Sequence, residues 1–111
     1  MAGGLHKFTV VEAGNIGLGQ SGNAFTDTTD QYTPPSGTVI VAITMATTSS
    51  FSELTPENTN SWAGTTAASP GTNGSTMDSS DTFPSGVTIY GRWLSCTLQS
   101  ASDAILIYFA P

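Results

Sequence analysis

Thr38-Val39-Ile40-Val41-Ala42-Ile43-Thr44-Met45-Ala46 is mostly β-branched and holds no glycine, proline or charge. Side chains branched at Cβ are stiff at χ1 and fit a pleated surface better than a helix. The stretch is also shorter than a stable isolated helix, so it reads as a strand. Period-two alternation places Val39, Val41, Ile43 and Met45 on one face, with Ile40 and Ala42 mixed among threonines on the other. One face is thus expected to enter the core.

The same grammar extends outward. Val87 to Leu94 alternates Val87, Ile89, Gly91 and Trp93 against Thr88, Tyr90, Arg92 and Leu94. Gly91 removes a side chain beside two large rings, which predicts a bulge or a close approach. Ala104 to Phe109 is apolar on both faces and reads as a central strand completing the sheet. Phe51 to Leu54 follows the turn Thr47-Thr48-Ser49-Ser50, and Leu5 to Glu12 is a weaker N-terminal strand. Gly14 to Pro35 and Asn58 to Pro84 read as long loops with room for one hairpin each, the positions that carry recognition on a β-scaffold. Helical patterns are nearly absent and no long internal repeat is visible. The expectation is an all-β fold, a small antiparallel β-sandwich or jelly-roll-like domain over residues 8–111 behind a flexible arm from Met1 to Lys7. Val39, Val41, Ile43, Ile89, Trp93, Ile105, Ile107 and Phe109 are expected to share its core.

Composition restricts what such a domain can do. The 111 residues carry a net charge of -6 and only 9% charged side chains, against about 25% in ordinary domains. Roughly three residues in ten are Ser or Thr, so hydroxyls, amides and glycine make the surface. With Lys7 and Arg92 as the two basic residues, no row of phosphates can be neutralised; nucleic acid and anionic membranes are not expected partners. Cys96 is the single cysteine, which excludes an internal disulfide and a cysteine-based zinc site and predicts a buried packing residue. The start Met1-Ala2-Gly3-Gly4 lacks the basic and apolar regions of a signal peptide, and no apolar run has the length of a membrane helix. Synthesis in a cytoplasm as a soluble product is the expectation.

Catalytic sets are scarce. The one histidine, His6, sits beside the terminal arm, where a base would be poorly held. Gly14-Asn15-Ile16-Gly17-Leu18-Gly19 is glycine-dense but opens no helix that would aim amides at a phosphate. Asp27-Thr28-Thr29-Asp30 and Asp78-Ser79-Ser80-Asp81 offer hard oxygens, yet their spacing suits Asx turns rather than a helix-loop-helix calcium site. Asn73-Gly74-Ser75 matches the glycosylation pattern and, without a secretory signal, reads as a turn. Neither an enzymatic activity, a metal nor a cofactor is expected.

Arg92 lies inside a strand and needs a carboxylate or carbonyl. An aspartate of the same chain, with Tyr90 stacked nearby, is one partner; an oligomer interface is the other. Trp62, Tyr32, Phe25 and Phe51 are either plugs under the long loops or a binding patch. Uncovered edge strands, with few lysines to blunt them, predict a homo-oligomer, taken as a trimer.

One stretch resembles a known group. Phe83-Pro84-Ser85-Gly86-Val87-Thr88-Ile89-Tyr90-Gly91-Arg92-Trp93 is similar to a signature of small structural proteins of marine tailed bacteriophages, including those infecting cyanobacteria. Pro34-Pro35-Ser36-Gly37-Thr38-Val39-Ile40-Val41-Ala42-Ile43 with Phe51-Ser52-Glu53-Leu54-Thr55 resembles that group's first core strand and hairpin, and Ile105-Leu106-Ile107-Tyr108-Phe109 its closing strand. The likeness covers about the last two-thirds of the chain, and the serine-rich Thr65 to Ser80 departs from it. It implies a virion component decorating or cementing the capsid surface, assembled in the host cytoplasm, with the major capsid protein as partner. A tail or fibre module, or a lectin-like domain contacting the host, is the alternative. His6, Lys7, Arg92, Tyr90 and Trp62 are the candidate oligomer or capsid contacts.

Overall fold

Two copies of one turn launch the two longest strands. In Pro35-Ser36-Gly37-Thr38 and Pro84-Ser85-Gly86-Val87 the last amide donates to the first carbonyl, at 3.1 and 3.2 Å. Gly37 and Gly86 sit at φ 85° and 88°, the position of a type II turn that a Cβ would strain. The computed structural model describes residues 22–58, 64–65 and 71–111. Their strands are β1 (Gly22–Thr26), β2 (Val39–Met45), β3 (Phe51–Pro56), β4 (Thr88–Leu98) and β5 (Ile105–Ala110), with no helix among the described residues. The all-β class is as expected. The strands form one sheet in the order β1-β5-β2-β4-β3, antiparallel throughout.

The inner face of this sheet carries the core. Ile40, Ile43, Met45, Phe51, Leu54, Trp93, Cys96, Leu98, Ile105 and Ile107 form one buried cluster. The layer over it is made by loop residues: Tyr32, Met77 and Phe83 pack against the cluster. Phe51 and Phe83 are tilted rings with centroids 6.1 Å apart. Phe83 is held there by a two-way backbone bridge to Ser49. The buried Asp103 accepts from the amides of Ser100 and Ser50, tying the β4–β5 turn to the start of β3. Tyr32 exchanges two backbone hydrogen bonds with Cys96, covering the part of β4 that β2 is too short to reach.

Strict alternation fails at the middle of β2. Between Ile40 and Ala42 the partners on β5 advance by one residue, Phe109 to Tyr108, while on β4 they advance by three, Trp93 to Tyr90. A bulge inverts the facing of everything beyond it. Ile40 therefore joins Ile43 and Met45 in the main core, while Val39 and Val41 pack on the opposite face with Ala110 and Tyr108. The expectation that Val39 and Val41 share the core of Ile43 is corrected accordingly. Ile89 lies at the core margin, and Phe109 is half-buried with its ring against Gly22.

Gly91 explains the accommodation on β4. A Cβ built there would lie 2.5 Å from Cζ2 of Trp93, so the indole occupies the space a side chain would fill; the expected bulge and close approach coincide. Two boundaries also move: β4 runs four residues past Leu94, and β1 emerges from the stretch read as a loop. The expected strand Leu5 to Glu12, the arm Met1 to Lys7 and the glycine-dense 14–19 lie outside the described residues.

Candidate functional site

Directly opposed residues in antiparallel strands share a face, so the registers define the outer surface in rows. One row reads Phe25, Leu106, Thr44, Thr88 across β1, β5, β2 and β4. The next reads Asn23, Tyr108, Ala42, Tyr90. Phe25 is 59% exposed, Tyr90 55% and Leu94 44%. The rows contain no charged side chain. Thr44 and Thr88 satisfy each other through a 2.7 Å hydroxyl contact, and Tyr108 rests on the Val39, Val41 and Ala110 cluster. The two exposed rings, Phe25 on β1 and Tyr90 on β4, stand at opposite ends of these rows, and between them Ala42 and Val41 are buried.

Arg92 closes one end of that face. Its Nε donates to Glu57 Oε1 at 2.7 Å and its Nη2 to Glu57 Oε2 at 3.2 Å and to the Pro111 carbonyl at 3.3 Å. The guanidinium thus ties the end of β3 to the end of β5. The carboxylate is a glutamate, not the aspartate expected. The bidentate contact holds the Glu57 carboxyl below the ordinary glutamate range and the guanidinium above its own. Both side chains are about half exposed, so the pair contributes little to stability. Farther back along β3, opposite Thr97, Glu53 accepts from Gln31 Nε2 at 2.9 Å and Thr97 Oγ1 at 3.3 Å, and Gln31 also reaches Ser95 Oγ.

Other candidates resolve into structural roles. Cys96 is buried as expected; burial, with Glu53 nearby, pushes its thiol up to about 12, which removes the thiolate that reactivity needs. Asp78 Oδ1 accepts from both the amide and the hydroxyl of Ser80, and Asp81 Oδ2 from the Asp78 amide. That is the Asx-turn reading, and those bonds lower the Asp78 carboxyl. In the other pair it is Thr28 Oγ1, not a carboxylate, that accepts from the Asp30 amide. Among the described residues no group of His, Cys, Asp or Glu is placed to hold a metal. Asn73 sits in a turn at φ 67°.

Of the residues singled out from sequence, Tyr90 and Arg92 fall on or beside the outer face, while His6, Lys7 and Trp62 lie outside the described residues. Phe51 is fully buried and Tyr32 packs on the core, both plugs, but Phe25 is exposed. Asn23, Tyr108 and Phe25 enter the outer face through strand register alone. Their signal was the two-sided apolarity of Ile105 to Phe109, which leaves Leu106 and Tyr108 on the face away from the core. Compared with protein-family models, curated proteins and solved structures, the chain gives no match.

Proposed function

We propose that this chain is a non-enzymatic structural protein carried in many copies on the outside of a tailed-phage head, bound to the major capsid protein. One observation supports the reading. The segments in which the chain resembles small phage structural proteins supply β2, β3, β4 and β5, four contiguous strands of the sheet. The likeness therefore falls on the strands of the framework and on the Pro-Ser-Gly turns that launch two of them. The anchor in this reading is the arm Met1 to Lys7, and a homotrimer engaging several sites together needs only modest affinity per contact.

Mass-spectrometric stoichiometry of intact virions tests it, together with deletion of Met1 to Lys7. Hundreds of copies per particle, lost from heads on deletion, are expected. A few copies per particle, or retention on tails after heads are removed, overturns decoration in favour of a tail or fibre module contacting the host.

A further inference from the structure

We infer that the exposed turn at Asn73-Gly74 is a self-modification site, where the backbone nitrogen of Gly74 attacks the Asn73 side chain and converts it to a mixture of aspartyl and isoaspartyl residues. The inference is independent of where the chain is attached. It rests on the residue pair, on its exposure without hydrogen bonds, and on the backbone angle of Asn73.

Ring closure requires the nitrogen of the following residue to reach Cγ, and a glycine leaves that nitrogen unshielded by a Cβ. Of the five asparagines the other four precede Ile16, Ala24, Thr59 and Ser61, and Asn73 alone precedes a glycine. Gly71 to Ser75 are all exposed. Neither Asn73 nor Gly74 makes a hydrogen bond among the described residues, so the Gly74 amide is open to water and to the base that takes its proton. The loop is fastened farther on, by Met77 on the core and by Asp78 and Asp81, whose carboxylates accept from the Ser80 and Asp78 amides.

The backbone angle favours closure as well. A planar five-membered imide aligns Cβ with the following nitrogen about the Cα–C bond, which for an L residue sets ψ at about −120°, the value at the first central residue of a type II′ turn. The φ of that position is positive, about 60°. Asn73 already sits at φ 67°, the one non-glycine residue with a positive φ among those described. Rotation about ψ alone brings it to that turn geometry.

The chemistry needs water and nothing else. The Gly74 nitrogen gives up its proton and bonds to Cγ of Asn73, while the Cγ–NH2 bond breaks and the amide nitrogen leaves as ammonia with that proton. Water then opens the ring at either carbonyl. Cleavage at Cγ leaves an aspartyl residue, and cleavage at the backbone carbonyl carbon leaves an isoaspartyl one with the main chain routed through Cγ. Either product adds a carboxylate to a loop that already holds Asp78 and Asp81.

The full chain, held in mildly alkaline buffer and sampled over time, tests this by isoelectric focusing and by peptide mass mapping with electron-transfer fragmentation. A band one charge more acidic should grow, faster as pH rises because the Gly74 amide must lose its proton, and both isomers should map to position 73. The rate should match that of the chain unfolded in guanidinium chloride. Asn73→Gln, which would have to close a larger ring, and Gly74→Val, which shields the nitrogen, should each lose the band while circular dichroism keeps the parent's strand content. Absence of the band, a band that survives Asn73→Gln, or conversion of the unfolded chain with the folded one unchanged overturns the proposal, the last because the native turn then shields the site.

Discussion

Gly91 and Trp93 form a single packing unit, and two residues of sequence specify it. The indole is 2% exposed and fills the volume above the glycine, so an added methyl cannot be relieved by rotating the ring into solvent. Gly91→Ala should lower stability by about 1 to 3 kcal/mol, read as a shift in the denaturation midpoint with unchanged slope. Cys96 is the second case. With its thiol pushed up to about 12 by burial, it should resist thiol reagents at mildly alkaline pH in the native state and react on unfolding. The unfolded thiol ionises near about 8.5, so its contribution to stability is complete below that value and is lost as pH climbs toward the folded one. Glu57 has the opposite sign. Its carboxyl is depressed by Arg92, so the pair's contribution is present above the ordinary glutamate value and is lost as pH falls through the folded one. Carboxyl NMR titration should show Arg92→Gln moving Glu57 back up.

At the scale of the element, β2 shows why a strand legible in sequence can still turn its side chains the wrong way. Its β-branched run predicts the strand and its limits, but the inserted residue near Val41 is decided by pairing with two neighbours whose registers disagree. Ile40 is consequently a core residue, and Ile40→Ala should cost as much as Ile43→Ala, about 2 to 5 kcal/mol each by chemical denaturation. β3 illustrates edge protection. The Thr65 amide donates to the Leu54 carbonyl at 2.9 Å, and Thr65 Oγ1 accepts from the Leu54 amide at 3.0 Å. A single residue thereby blunts an exposed edge. Thr65→Ala should cost about 0.5 to 1.5 kcal/mol and speed exchange of the Leu54 amide, measurable by hydrogen exchange.

For the whole molecule, protection should follow the strand order. β4 is paired on both sides along most of its length, by β3 on one and by β2 and Tyr32 on the other, whereas β1 borders β5 alone among the described strands. Native-state hydrogen exchange should find the slowest amides in β2, β4 and β5 and faster ones in β1. The interior strands β5 and β2 are buried on both faces: one lies under the loops, and on the other Val39, Val41, Ala42 and Ala110 are buried with Tyr108 packed against that cluster.

Local chemistry alone determined the strand class, because β-branched runs, Pro-Ser-Gly turns and the absence of helical periodicity act within a few residues. It also determined the Gly91 accommodation and the burial of Cys96. Tertiary structure decided which face each residue of β2 serves, since a bulge is a property of paired strands and a slip of one residue inverts the alternation. It decided that Arg92 meets Glu57, 35 positions away, since nothing local distinguishes one carboxylate from another. It also set Tyr108 and Tyr90 in one row across Ala42, a juxtaposition created only when β5 and β4, consecutive in the chain, take their places on either side of β2.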